Sequence, residues 1–157
     1  MERATVLYDV DCGFCRWTLA KLLAWDRACA LRPVAIQDAA GQVLLAGMDE
    51  DRRLASWHLA FPDGRLYSAG PALVEALPLL PAGKPLGRLA GWLSPVTDRV
   101  YELVARRRAI PGRLLSRAAV RRATQRIRAR SAADSLIQDE RFATSRPTEA
   151  PGNCAPA

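Results

Sequence analysis

No uncharged apolar run in the sequence reaches about 18 residues, the length that a membrane-spanning helix needs. The opening Met1-Glu2-Arg3-Ala4-Thr5 starts no apolar stretch of the signal-peptide kind, so a cytoplasmic location is expected. Histidine is nearly absent, His58 being the only one, and there is no second CxxC and no HxxxH pair. A tetrahedral zinc site therefore lacks obvious ligands, and an iron–sulfur cluster is equally short of thiolates. The four cysteines, Cys12, Cys15, Cys29 and Cys154, are too few and too unevenly spaced for a disulfide framework, which leaves redox, metal or inert thiols. No internal repeat appears at a solenoid period. Acidic residues are missing from 104–130, where ten arginines fall, so the net charge of +7 belongs to one segment of the 157-residue chain.

At this length one domain plus an extension is expected. Residues 5–8 are a β-branched and aromatic run that reads as a buried strand. Cys12-Gly13-Phe14-Cys15 follows, and from Cys15 to Trp25 apolar residues recur at near-helical spacing, which predicts a helix beginning at the second cysteine. A second strand is expected over 30–36, at an edge or bulge because of Pro33. A short helix over 39–46 closed by Gly47 in a left-handed cap comes next. Residues 56–61 and 65–68 form a hairpin about Pro62-Asp63-Gly64. Helices are predicted to begin at Pro71 and to cover 86–93 and 95–107. The apolar residues of 113–130 spread around the helical wheel, so that stretch is expected to leave the compact domain. The division is thus a thioredoxin-like α/β domain over 1–110 with the order βαβ…ββα, a basic helical extension over 111–130, and a disordered tail over 131–157 rich in Ser, Thr, Ala and Pro.

The CxxC carries the chemistry. Where a strand runs into a helix, the first thiol lies by the unpaired backbone N–H groups of the helix N-terminus, which favour a thiolate. Cys12 is then the nucleophile on a protein or small-molecule disulfide, and Cys15, one turn inward, is the resolving thiol. No cofactor is called for. Asp9, at the strand end, is the expected proton acceptor for Cys15, while Asp11 faces solvent or caps the helix. Phe14 is expected to be exposed and to contact a partner, and Ser56 with Trp57 to form a substrate-facing wall. His58 reads as a half-buried structural residue, and Cys29 as a small hydrophobe. The arginines of 106–130, without aromatic interleaving, read first as a solvated basic helix with no partner, and next as a surface for an anionic membrane or an acidic partner, then for nucleic acid, with no motif that supports sequence-specific binding. The alternative reading is a metal-binding or structural CxxC module whose basic tail binds a polyanion.

The run Tyr8-Asp9-Val10-Asp11-Cys12-Gly13-Phe14-Cys15 resembles the opening motif of the DCC family of thiol-disulfide oxidoreductases, named for Asp-Cys-x-x-Cys. Ser56-Trp57-His58 leading into Pro62-Asp63-Gly64, then Gly70 with Ala72, and Val100-Tyr101 with Arg106-Arg107-Arg108 are similar to the rest of that family's pattern, over about residues 4–115. The resemblance implies a thioredoxin-like fold and thiol-disulfide activity. It departs from ordinary thioredoxins in one respect. Where they place a cis-proline before the hairpin strand, alignment of the hairpin puts Ser56, which keeps zinc or iron open as an alternative.

Overall fold

A computed structural model describes residues 3–93, 96, 99, 100, 103 and 115–144. Its centre is a four-stranded mixed sheet in the order β2-β1-β3-β4. Strand β1 (Ala4–Tyr8) pairs in parallel with β2 (Leu31–Ala35) and antiparallel with β3 (His58–Ala60), which pairs antiparallel with β4 (Leu66–Ser68). Parallel pairing of β1 and β2 requires a crossover, and helix α1 (Gly13–Trp25) supplies it. Pro33 sits in β2, at the edge of the sheet, where a missing N–H costs least. At the β3–β4 turn Gly64 takes φ 88°, and the Asp63 carboxylate accepts the Arg65 backbone N–H at 3.0 Å, an Asx turn that sets the hairpin register.

The two faces of the sheet are covered differently. On one, α1, α4 (Ala69–Ala76) and a C-terminal helix α6 (Arg117–Thr144) close over Val6, Leu31 and Leu59. On the other, α2 (Ala39–Leu44) and α3 (Glu50–Ala55) bring Leu45, Met48 and Leu54 onto Leu7, Val34 and Ile36. Helix α5 (Gly83–Trp92) follows a 3-10 turn at Leu77–Leu79, with Gly87 against Pro78. Strand–CxxC–helix–strand, then hairpin and helix, on a β2-β1-β3-β4 sheet is a thioredoxin-like fold.

Several local expectations are corrected. Helix α1 starts two residues before Cys15, because Cys12 itself is the N-cap. Gly47 does not close α2; Leu45 is its C-cap, and α3 follows from an Asp49 cap whose carboxylate accepts the Arg52 N–H at 2.9 Å. Helix α4 begins at Ala69, in the left-handed region at φ 57°, and not at Pro71. The expected helix over 95–107 and the break at Ile110-Pro111-Gly112 lie largely outside the described residues, although Val96, Arg99, Val100 and Leu103 are helical.

The largest difference concerns the basic segment. Helix α6 runs from Arg117 to Thr144, straight through the boundary expected at 130, so 131–144 is helix and not disordered tail. Nor does it leave the domain: Ala123 and Ile127 are buried in the core with Leu19, Ala20 and Leu23. Its polar residues reach the body too. Arg130 Nη2 donates to Asp26 Oδ2 at 2.5 Å and Nη1 to Cys29 Sγ at 2.9 Å, while buried Asp134 pairs with Arg3. Residues 145–157, with Cys154, lie outside the described residues. Among the described residues no helix is long and apolar enough to cross a membrane.

Candidate redox site

Cys12 and Cys15 are joined as a disulfide, with Cα atoms 5.2 Å apart, inside the range that a disulfide spans without moving the backbone. The local sequence dictates this. Strand β1 ends at Tyr8, Asp9 to Asp11 turn the chain, and Cys12 in extended conformation (φ −83°, ψ 103°) receives the first free amide of α1: its Sγ accepts the Cys15 N–H at 3.1 Å. Sulfur thus occupies the place where Ser or Asp ordinarily caps a helix. The first turn of α1 carries no acid, so nothing on the helix opposes the positive end of its dipole. Asp11 is exposed, and the capping role expected for it belongs to Cys12.

Asp9 is half-buried and braces the loop. Its Oδ1 accepts the Asp11 backbone N–H at 2.9 Å and Gln37 Nε2 at 2.8 Å, and Gln37 Oε1 in turn accepts the Val10 N–H at 3.3 Å. Gln37, just beyond β2, thereby ties the strand end to the CxxC turn, a role that a lone glutamine in a loop did not signal.

Phe14 is half-buried and not exposed: its ring stacks on Trp17 with centroids 6.4 Å apart and planes 22° apart, and Lys21 Nζ lies 5.5 Å from the Trp17 ring. A shelf of two aromatic rings therefore borders the disulfide. Ser56 is extended (φ −148°, ψ 172°) and, like Trp57, half-buried. Because Leu7 pairs with His58 in antiparallel register, Trp57 and Ser56 fall one and two residues past the last pair, at the end of β1 from which the CxxC loop departs. The topology brings all six expected residues, Asp9, Cys12, Phe14, Cys15, Ser56 and Trp57, to one end of the sheet.

His58 and Cys29 do not join them. His58 is fully buried in β3, its Nε2 against the Arg53 carbonyl at 2.9 Å and its Nδ1 against Ser68 Oγ at 2.7 Å. A carbonyl only accepts, so Nε2 carries the proton and Nδ1 accepts from the serine. Burial pushes the His58 pKa below its ordinary value, against a smaller opposing pull from the Arg53 carbonyl, which keeps the ring neutral and structural. Cys29 lies beyond the far end of α1, about 20 Å along a 13-residue helix from the CxxC, under the Arg130 guanidinium. The convergence of Cys29 and His58 that a zinc site would need does not occur, and among the described residues no three Cys, His, Asp or Glu cluster.

The family model of DCC1-like thiol-disulfide oxidoreductase matches residues 6–113, from the middle of β1 past α5. The chain belongs to this family. No curated protein and no solved structure matches the chain. Within the DCC1-like frame, the α6 contacts at the site lie outside the matched residues: Val120 packs within about 4 Å of where a Gly13 Cβ would stand, and Thr124 Oγ1 accepts from Arg16 Nη1 at 3.1 Å. A helix that composition had assigned to an extension thus supports the turn that holds the two cysteines.

Proposed function

We propose that this chain exchanges dithiols and disulfides, with Cys12 as nucleophile and Cys15 as resolving thiol. The observation that carries the reading is the Cys12 sulfur, bonded to Cys15 and capping the N-terminus of α1. When the pair is reduced, the Cys15 amide and the helix dipole stabilise a Cys12 thiolate. That thiolate attacks one sulfur of a substrate disulfide, a mixed disulfide forms, and the other substrate sulfur leaves as a thiolate. Cys15, having lost its proton, attacks Cys12 Sγ; the Cys12–Cys15 disulfide forms and the second substrate sulfur leaves. Two electrons and two protons pass from the dithiol to the substrate, and an external thiol reductant restores the pair.

Asp9 is the proposed acceptor of the Cys15 proton. Asp9→Asn separates this role from bracing, since the amide oxygen still accepts from Gln37 and from the Asp11 N–H. The resolving step of the Asn variant is expected to slow by about 10²-fold at neutral pH, at unchanged thermal stability, and to recover as pH rises toward the thiol range. An unchanged rate and pH profile would return Asp9 to a bracing role alone. The Phe14–Trp17 shelf and the extended backbone at Ser56, beside Trp57, are the proposed substrate contacts.

The exchange itself is tested with a single turnover. Reduced protein, freed of reductant and mixed with a peptide disulfide, is expected to release two peptide thiols per chain and to end with Cys12 and Cys15 joined; release of none would overturn the proposal.

A further inference from the structure

Helix α6 lies along α1 in the same direction, since Val120 meets Gly13, Thr124 meets Arg16, and Arg130 reaches Asp26 past the end of α1. Its first turns therefore flank the redox pair. On a helix, Arg117, Arg121, Thr124 and Arg128 stand at i, i+4, i+7 and i+11, a single row, and Thr124 fixes that row on the side of Arg16, the residue after Cys15. Arg117, Arg121 and Arg128 are exposed and carry no ion pair among the described residues. Both Arg16 and Arg128 pull down the pKa of Tyr8, at the end of β1, against larger upward effects of burial and of Asp38. Through Val120 at Gly13 and Thr124 at Arg16, the start of the row borders the sheet end where the disulfide lies. The acids near that end are Asp9, tied to Gln37, exposed Asp11, and Asp38; none is on α1 or on the arginine row. Arg122 and Arg126 turn away on the other sides of α6.

We propose that the row Arg117, Arg121 and Arg128, beside Arg16, docks acidic polypeptide segments, so that the disulfides exchanged are those with Asp or Glu near the cysteine. This rests on the exchange reading above and names its substrate class. The length of the row favours a polypeptide: Arg117 to Arg128 spans about 16 Å of helix, which a small carboxylated disulfide cannot follow while its sulfur is at Cys12. A lipid surface fits less well, because over 117–134, the described part of α6 that carries the row, no large hydrophobic residue is exposed, whereas a helix lying in a membrane interface needs an apolar face.

The test uses the full chain and three disulfides: a peptide with acidic flanks, the same peptide with neutral flanks, and oxidised glutathione as the small anionic probe. At low ionic strength kcat/KM for the acidic peptide is expected to exceed that for the neutral one by about 10-fold, with the difference in KM, and the ratio is expected to fall toward one near 0.5 M salt. Arg117→Gln with Arg121→Gln is expected to collapse the ratio; Arg122→Gln with Arg126→Gln, on the other sides of α6, is expected to keep it. Equal kcat/KM for the two peptides, with Cys12-dependent turnover of both, overturns the docking row and leaves exchange standing. The same holds if glutathione gains as much as the acidic peptide, or if vesicles of phosphatidylglycerol bind through Arg117 and Arg121 while the peptides stay equal. Turnover of neither peptide overturns exchange itself.

Discussion

Cys12→Ser is expected to lower disulfide exchange by on the order of 10³-fold or more, the scale on which removal of a catalytic nucleophile acts, while leaving the fold intact. The two halves of that expectation have separate causes. Serine is among the best N-cap residues, and its oxygen still accepts the Cys15 N–H that Cys12 Sγ accepts now, so α1 keeps its start. A hydroxyl at that position is not ionised near neutral pH, so the attacking sulfur is lost without a replacement. Cys15→Ser is expected to behave differently: attack by Cys12 proceeds, resolution fails, and a mixed disulfide accumulates that intact-protein mass spectrometry detects. Full, equal exchange by both variants would contradict the assignment of the site.

Arg130→Ala is expected to destabilise the fold by about 3–5 kcal/mol, as happens when one partner of a buried ion pair is removed. The Asp26 side chain is 0% exposed and its two oxygens already accept the Ala30 and Leu31 N–H groups, each at 2.9 Å, at the turn that starts β2. Without the guanidinium the carboxylate stays buried with only those two donors. The same variant removes the donor to Cys29 Sγ and to the Asp26 carbonyl, which together hold α6 to the end of α1. Arg122→Ala, an exposed arginine of the same helix without an ion pair among the described residues, is expected to change stability by less than about 0.5 kcal/mol. Urea unfolding of the two variants side by side measures the difference, and equal midpoints would mean that α6 is an appendage.

The contrast between those two arginines shows what the sequence made legible. Strand β1 and the hairpin were readable because each rests on local chemistry: a β-branched run, and a Pro-Asp-Gly turn whose glycine takes positive φ. The CxxC was readable as redox chemistry because two thiols between a strand and a helix have few other uses. The start of α1 was missed by two residues because the cap is a cysteine, outside the residues by which a cap is ordinarily recognised. Helix α3 did carry a signal, Asp49-Glu50-Asp51 followed by Arg52-Arg53, acids at its positive end and bases at its negative end. Helix α6 gave almost none. Its seam against the body is buried Ala123, Ile127 and Asp134 with half-buried Thr124 and Arg130, and the polar members are held there through Arg16, Asp26 and Arg3, which lie 108, 104 and 131 residues away along the chain. No local pattern encodes a partner at that separation.

The most direct test of the central claim is the redox state of Cys12 and Cys15, followed by differential alkylation and mass spectrometry across a series of thiol/disulfide buffers, with bound metal quantified on the same sample. One reversible two-electron step confined to this pair is expected, the ratio of oxidised to reduced protein changing tenfold for about every 30 mV of buffer potential. Thiols that resist alkylation at every potential, with zinc or iron at about one per chain, would contradict it.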